Sequence, residues 1–224
     1  MTTKEFEYKG HRATVIIPDN PNGKWIWKTE FLYDFDQAER ALCEMGYTRV
    51  YYSISDMYGS YRAVRLMRDF YSYAVKELGL CERCNLFGFS RGGLYAFNFA
   101  LFYPECVEKI YLDAPVLDMR TWPHAGTHCR DQVYEEYSLT PETIESFKGH
   151  PIENLPEFFA LGIPLMVVAG KIDSVVPYES NAGRLLRYCE ENNISTVSVI
   201  KPMCDHHPHS LEDVTPIIDF VEGR

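Results

Sequence analysis

The sequence predicts an α/β fold with a mostly parallel central sheet and helices on both of its faces. Short apolar runs typical of buried strands alternate along the chain with longer segments typical of helices. Ser90 stands in a Gly-x-Ser-x-Gly pattern, Gly88 to Gly92, between such a strand and such a helix. A chain of 224 residues can bury a sizeable core, so we expect one domain that spans residues 1–224.

Charge and cysteine content limit the partners and the compartment. The formal net charge is −10 and there is no basic stripe, which argues against nucleic acid or an anionic membrane surface as a partner. No run approaches 18 apolar residues and residues 1–8 lack an apolar segment, so we expect no membrane span and no signal peptide. Seven cysteines without framework spacing are typical of reduced thiols in the cytoplasm.

The elements follow from runs, spacing and turn residues. Apolar runs between turn residues predict strands at 5–8, 13–17, 25–29, 47–54, 84–87, 109–112, 163–169 and 196–200. Helical spacing or a long apolar run predicts helices at 36–45, 60–78, 94–102 and 180–191, and a last one that begins near Thr215. Gly10 is placed near the turn of the first hairpin. Ser60 and Thr215 are expected to cap their helices, and Gly46 and Gly79 to end theirs.

Residues 116–160 interrupt this alternation. They carry several prolines and glycines among short polar segments, and they lie between two predicted strands. In parallel sheets the functional site lies beyond the carboxyl ends of the strands. We therefore expect this insertion to form a small cap over that edge of the sheet.

Ser90 is the candidate nucleophile. A serine at a tight strand-to-helix turn has a strained backbone, and its hydroxyl projects above the sheet. Gly88 and Gly92 leave room for the neighbouring strand and helix, and the backbone N–H of Arg91 is free to face a developing oxyanion. The alternative is a serine that only caps a buried helix.

A serine nucleophile needs a base and a carboxylate that orients the base. Asp173 follows the strand at 163–169, and the histidines follow the last strand, so both arrive at the same edge in the order Ser, Asp, His. The candidate bases are His206, His207 and His209. Asp113, at the end of the strand after Ser90, is an alternative acid whose other role is to cap a turn.

Two further groupings could indicate metal or redox chemistry. Cys81-x-x-Cys84 has neither a helix start between its cysteines nor a second pair elsewhere. Cys204 and the three histidines lack the fixed helical spacing of a zinc site. We therefore expect no metal and no cofactor.

In these motifs the sequence resembles the α/β-hydrolase family. The Ser90 turn, Gly170-x-x-Asp173 and the late histidine loop occur in the order of that family and span nearly the whole chain. More narrowly, Trp25-Ile-Trp27, the segment 90–95 and the segment 206–211 are similar to a bacterial branch of esterases and peptidase-like hydrolases. The resemblance implies the α/β-hydrolase fold and hydrolysis through an acyl-enzyme.

The resemblance also assigns individual residues. The family places its base shortly after a glycine; Asp205 stands at that glycine position here, so the alignment makes His206 the base. Asp205 would raise the pKa of the base if their side chains met. Lys28-Thr-Glu30 occupies the place of the family's His-Gly pair, so the Glu30 backbone N–H is expected to be the first oxyanion donor, beside that of Arg91. Position, and not the resemblance, makes three residues candidates for the pocket: Tyr58 follows the strand at 47–54, and Trp122 and His124 lie in the expected cap.

The leading interpretation is a serine hydrolase that acts on a small carboxylic ester. The same triad would serve a peptidase, an amidase or an acyltransferase, and these differ in substrate and not in motif. A protein that binds ligands on the same scaffold without catalysis is the alternative of another class, and it predicts an incomplete triad. The sequence does not indicate an oligomeric state.

Overall fold

The computed structural model describes residues 1–224 and contains one eight-stranded sheet. The strands are β1 (Thr2–Tyr8), β2 (His11–Ile17), β3 (Trp25–Lys28), β4 (Thr48–Tyr52), β5 (Cys84–Phe89), β6 (Val107–Asp113), β7 (Leu165–Gly170) and β8 (Val197–Lys201). They lie in the order β1-β2-β4-β3-β5-β6-β7-β8. The six strands from β4 to β8 in this order are parallel to one another, and β2 is antiparallel to both of its neighbours, β1 and β4. The predicted mostly parallel sheet is confirmed.

The first two strands form the predicted hairpin. Lys9 and Gly10 join them, with φ of 47° and 82°. Positive φ at both central residues gives a turn whose twist matches that of the flanking strands, and glycine adopts it at little cost.

Seven helices flank the sheet. They are α1 (Gln37–Glu44), α2 (Tyr61–Leu78), α3 (Gly92–Phe102), α4 (His128–Tyr137), α5 (Leu155–Ala160), α6 (Ala182–Glu191) and α7 (Thr215–Glu222). The Ser60 hydroxyl caps α2 by accepting the Ala63 N–H at 3.3 Å, as predicted. The predicted Thr215 cap is wrong: Thr215 is the first helical residue of α7, and its N–H donates to the Asp213 carboxylate at 2.9 Å. None of the helices is both long enough and apolar enough to cross a membrane.

The core has two layers because side chains alternate across each strand. Leu86 of β5 faces the larger apolar cluster, which α2, α3 and α6 cover. Its neighbour Phe87 faces a smaller cluster under α1 and α7. Both faces of the central strands are therefore buried, which explains why these strands are continuous apolar runs.

The segment 116–160 holds α4, α5 and short 3₁₀ turns. Its apolar side chains, such as Met119, Val133 and Ile144, pack with Tyr58 and Leu94 in a third cluster beside the carboxyl ends of the strands. The start of the segment is fixed by Asn181, whose Oδ1 accepts the backbone N–H groups of Leu117 and Asp118 at 2.8 and 2.9 Å.

Candidate active site

Ser90 lies at the sharp turn between β5 and α3. Its φ is +50°, a left-handed conformation that is costly for a residue with a side chain. Two backbone hydrogen bonds hold the turn in place: the Ser90 N–H donates to the Asp113 carbonyl, and the Val116 N–H donates to the Ser90 carbonyl, both at 2.9 Å. The strain expected of a nucleophile at such a turn is therefore present.

Steric constraints explain the two glycines of the motif. A Cβ at Gly88 would lie 2.9 Å from the Gly92 carbonyl oxygen and 3.0 Å from the Ala96 Cβ, both in α3. A Cβ at Gly92 would lie 2.8 Å from the Thr29 Oγ1, in the loop after β3. Gly88 thus lets the helix approach the strand, whereas Gly92 makes room for the loop that ends β3.

Ser90, His206 and Asp173 form a continuous line of hydrogen bonds. The His206 Nε2 lies 3.0 Å from the Ser90 Oγ, and the His206 Nδ1 lies 2.8 Å from the Asp173 Oδ2. A carboxylate only accepts, so Nδ1 carries the proton and Nε2 accepts from the serine hydroxyl. All three residues are buried, with exposed fractions of 6 to 8 %. The other Asp173 oxygen accepts the N–H groups of Val175 and Val176 at 3.0 and 2.8 Å, which fixes the carboxylate.

The histidine loop crosses directly over the end of β7. A Cβ at Gly170 would lie 2.3 Å from the carbonyl oxygens of Cys204 and Asp205, so only glycine allows this close approach. The Asp205 carboxylate accepts the Ser174 N–H at 2.7 Å and the His206 backbone N–H at 2.7 Å. These hydrogen bonds lower the pKa of Asp205. Asp205 therefore orders the loop backbone and makes no hydrogen bond to the imidazole of His206.

The alternative acid and bases have other contacts. Asp113 accepts the Nδ1–H of His209 at 2.8 Å, the Ser210 N–H at 2.8 Å and the Tyr111 hydroxyl at 2.5 Å. His207 is exposed and stacks on Phe35, with ring centroids 5.7 Å apart. Of the three histidines, only His206 makes a hydrogen bond with Ser90.

The backbone N–H groups of Glu30 and Arg91 lie beside this line. Neither N–H donates a hydrogen bond within the chain, and the Glu30 nitrogen is 3.5 Å from the position of a Cβ at Gly92. The Thr29 hydroxyl donates to the Gly92 carbonyl at 2.9 Å and fastens the loop to the start of α3. Two unpaired donors in this position are suited to hold an oxyanion.

The side chains of Glu30 and Arg91 form an ion pair, although the motif analysis did not identify Glu30 as the partner of Arg91. The Arg91 Nε donates to the buried Glu30 carboxylate at 3.1 Å, and so does the Ser55 hydroxyl. Burial raises the pKa of Glu30, although Arg91 opposes the shift. The pair joins residues 61 positions apart, so no local pattern could reveal it.

A cavity of about 260 Å³ opens beside Ser90. Besides Ser90 and the three histidines of the loop, its lining residues are Phe31, Asp34 and Phe35. These residues belong to the aromatic loop directly after β3. The sequence analysis did not single them out, although a loop at the carboxyl end of a parallel strand is expected to border the site. A larger hollow of about 470 Å³ lies between α5 and α6, lined by residues such as Glu153 and Arg184, and is remote from Ser90.

None of the three predicted pocket residues lines the cavity beside Ser90. Tyr58 is fully buried, and its hydroxyl donates to the Gln132 Oε1 at 2.5 Å. The Trp122 ring packs 6.2 Å from that of Tyr58, and His124 is exposed. The insertion thus packs against Tyr58, while the cavity is lined by the loops after β3 and β8.

Solved structures with the same fold include several peptidases. The puromycin-hydrolysing peptidase of Mycobacterium tuberculosis is 12 % identical with a TM-score of 0.70, and the match covers 98 % of this chain and 38 % of that one. The acylaminoacyl peptidase of Pyrococcus horikoshii is 13 % identical with a TM-score of 0.69, and the match covers 92 % of this chain and 37 % of that one. The chain thus spans little more than a third of the length of these peptidases.

A third structure matches over nearly its whole length. The fluorophosphonate-binding serine hydrolase F of Staphylococcus aureus is 15 % identical with a TM-score of 0.71, and the match covers 99 % of this chain and 95 % of that one. No family model and no curated protein sequence matches the chain. Together with the sheet order and the turn at Ser90, these likenesses show that the chain has the α/β-hydrolase fold.

Proposed function

We propose that the protein is a serine hydrolase that acts through an acyl-enzyme, with Ser90, His206 and Asp173 as its catalytic triad. The observation that carries the proposal is the line of two hydrogen bonds, 3.0 and 2.8 Å long, from the Ser90 hydroxyl through His206 to Asp173. A ligand-binding protein without catalysis would have no need of this arrangement on a strained turn.

In the first half-reaction the Ser90 Oγ attacks the carbonyl carbon of the substrate while His206 takes the hydroxyl proton at Nε2. Asp173 keeps the proton of the imidazole on Nδ1 and stabilises the imidazolium that forms. The N–H groups of Glu30 and Arg91 hold the oxyanion of the tetrahedral intermediate. His206 then gives its Nε2 proton to the leaving group, and the acyl group stays on Ser90.

In the second half-reaction a water molecule replaces the leaving group. His206 takes a proton from the water, the oxygen attacks the acyl carbon, and a second oxyanion forms in the same place. Collapse of this intermediate releases the carboxylic acid, and His206 returns its proton to the Ser90 Oγ. The chain begins the next turnover unchanged.

The proposed substrate is a small carboxylic ester. A cavity of about 260 Å³ suits a small acyl or alcohol group, and Phe31 and Phe35 give it apolar walls. Asp34 at the same cavity favours a second candidate, a peptidase or amidase, because a carboxylate there could hold a substrate ammonium group. A panel of p-nitrophenyl esters and aminoacyl p-nitroanilides distinguishes the two, and Asp34→Ala should lower only the hydrolysis of the anilides.

We also propose a cytoplasmic location, with which the free thiols of the protein agree.

A fluorophosphonate probe tests the nucleophile directly. We expect Ser90 to be labelled in the native protein, and Ser90→Ala to lose both labelling and ester hydrolysis while its circular dichroism is unchanged. Ser72→Ala, a substitution in α2, is the matched control and should behave as the wild type. Hydrolysis retained by Ser90→Ala, or a native protein that takes no label, would reject the proposal.

A further inference from the structure

The histidine loop holds three imidazoles within a small volume. One ring nitrogen from each of His206, His207 and His209 lies within 4.8 Å of the other two. The rings are mutually edge-to-face, with centroids 4.8 to 4.9 Å apart and interplanar angles of 72 to 83°. The three rings therefore lie close together without stacking on one another, and each brings a nitrogen into the same small volume.

Two of these histidines donate a hydrogen bond to a carboxylate, as metal-binding histidines commonly do in proteins. His206 and His209 each donate the Nδ1 proton to a buried carboxylate at 2.8 Å, that of Asp173 and of Asp113 respectively. A carboxylate on Nδ1 fixes the ring and leaves the Nε2 lone pair free for a metal ion. The Nε2 of His209 has no hydrogen-bond partner in the chain, and neither ring nitrogen of His207 has one.

We propose that His206, His207 and His209 form a binding site for Zn²⁺ at the mouth of the cavity beside Ser90. Zinc takes imidazole nitrogen at about 2.0–2.1 Å in tetrahedral geometry, with nitrogens about 3.3 Å apart. The exposed His207 can close the remaining gap by rotating its side chain, whereas the two buried histidines stay where their carboxylates hold them. Water from the cavity fills the fourth position. The sequence alone indicated no metal site because it lacks helical spacing; the loop brings the rings together instead.

A zinc ion bound at this site inhibits attack by Ser90. This consequence rests on the proposed hydrolase function. The lone pair of the His206 Nε2 that binds zinc is the one that accepts the Ser90 proton. While the metal is bound, Ser90 therefore keeps its proton and is a poor nucleophile. Removal of the metal by a chelator restores the hydrogen bond, so the inhibition is reversible.

Equilibrium competition with a chromophoric zinc chelator measures the binding without any use of activity. We expect one Zn²⁺ per chain in the wild type and in Ser90→Ala, and an affinity at least tenfold lower in His207→Ala. Loss of an outer carboxylate alone already costs 10–100-fold in metal affinity, so loss of a ligand should cost no less. The exposed His128→Ala is the matched control and should bind as the wild type does. Equal affinity of the wild type and His207→Ala, or no stoichiometric binding, would overturn the proposal.

Two further measurements complete the test. The Co²⁺-loaded protein should show visible bands of a tetrahedral nitrogen site without a thiolate charge-transfer band, and a thiolate band from Cys204 would contradict the ligand set.

Zinc should slow fluorophosphonate labelling of the wild type, and a chelator should restore the labelling rate. His207→Ala should keep its own metal-free labelling rate at the same zinc concentration. If the protein binds Zn²⁺ stoichiometrically but takes no label in its metal-free form, the metal site stands and the hydrolase is rejected. If the metal-free protein is labelled but binds no zinc, the hydrolase stands and the metal site is rejected.

Discussion

Two aspartate–histidine pairs lie side by side at the carboxyl ends of the strands, and only one of them reaches Ser90. In each pair a buried carboxylate accepts the Nδ1 proton of a histidine at 2.8 Å. The Nε2 of His206 meets the Ser90 hydroxyl, whereas Asp113 also accepts the Ser210 N–H and so secures the loop that follows the base. The same pair of residue types thus has a chemical role in one place and an architectural role in the other.

Substitution of the two aspartates by asparagine separates these roles. Asp173→Asn should lower kcat for an activated ester by about 10⁴-fold, since an amide no longer holds His206 in the productive tautomer. Asp113→Asn should lower the free energy of unfolding and leave a much smaller effect on kcat. Ester kinetics and urea unfolding of both variants give the comparison. A larger loss of kcat in Asp113→Asn would make Asp113 the acid.

The sequence could predict the residues of the proposed triad because each follows an apolar strand directly, and strand ends share one edge of a parallel sheet. The strand ends alone left Asp113 as an alternative to Asp173, and the choice of His206 among the three histidines came from the family resemblance. Hydrogen bonds across 33 or 96 positions depend on how the loop folds back. For the same reason the sequence could not identify Glu30 as the partner of Arg91. Tyr58 follows a strand too, but its side chain turns into the core of the insertion.

Strand β3 and helix α1 are joined by a buried ion pair. The Lys28 Nζ meets the Glu39 carboxylate, and both side chains are at most 2 % exposed. The same ammonium lies 3.4 Å from the centre of the Phe89 ring. Lys28 thus points away from Ser90 and connects the end of β3 to the layer under α1.

Removal of one partner should destabilise the protein strongly, because it leaves a buried charge without compensation. We expect Lys28→Met to lower the free energy of unfolding by about 3–5 kcal/mol, and the double variant Lys28→Met/Glu39→Leu to recover most of the loss. Urea unfolding measures both. The exposed pair Lys171–Glu179 supplies the control, since Lys171→Met should have a far smaller effect. A Lys28→Met protein as stable as the wild type would contradict this view of the pair.

His150, in its neutral form, joins two parts of the insertion to each other. Its Nδ1 accepts the Met119 N–H at 3.3 Å and its Nε2 donates to the Ile144 carbonyl at 2.9 Å, so a proton on Nδ1 would break the first bond. Burial lowers the pKa of His150 below its ordinary 6.5. The unfolded chain therefore binds the proton first as the pH falls.

The sign of the pH dependence follows from this order. The free energy of unfolding should fall as the pH drops through about 6.5 and keep falling until the folded histidine is protonated, with a slope of at most about 1.4 kcal/mol per pH unit. His150→Gln removes this contribution, so its stability should depend less on pH between 7 and 5. The exposed His128→Gln is the control with an unchanged slope. Equal slopes for His150→Gln and the wild type in urea unfolding would contradict the assignment.

Elements were predicted better than their ends. The central strands β3, β5 and β7 and their parallel order follow from apolar runs that are buried on both faces, a pattern with few alternatives. Ends depend on single hydrogen bonds: Asp213 takes the Thr215 N–H and displaces the predicted cap, and β4 ends at Tyr52 where the prediction reached residue 54. The position of the insertion relative to the cavity depends on Tyr58 and Asn181, which lie outside it in the chain.

Across the whole molecule, buried thiols lie in both layers of the core. Cys84, Cys106 and Cys189 belong to the larger cluster, and Cys43 lies in α1 on the other face of the sheet. Burial raises the pKa of each, that of Cys106 to about 11, so the reactive thiolate is scarce as well as shielded. Cys81 is exposed.

These four thiols report whether the layers open together. In the native protein a thiol reagent should modify Cys81 first and leave the four buried cysteines unreacted, since each needs unfolding before it can react. If the sheet and both helical layers unfold as one unit, the four should then react at one common rate that rises with urea in parallel with global unfolding. Peptide mass spectrometry after timed alkylation resolves the individual sites. A Cys43 that reacts much faster than Cys84 and Cys189, under conditions where the sheet stays folded, would show that the α1 layer opens separately from the rest.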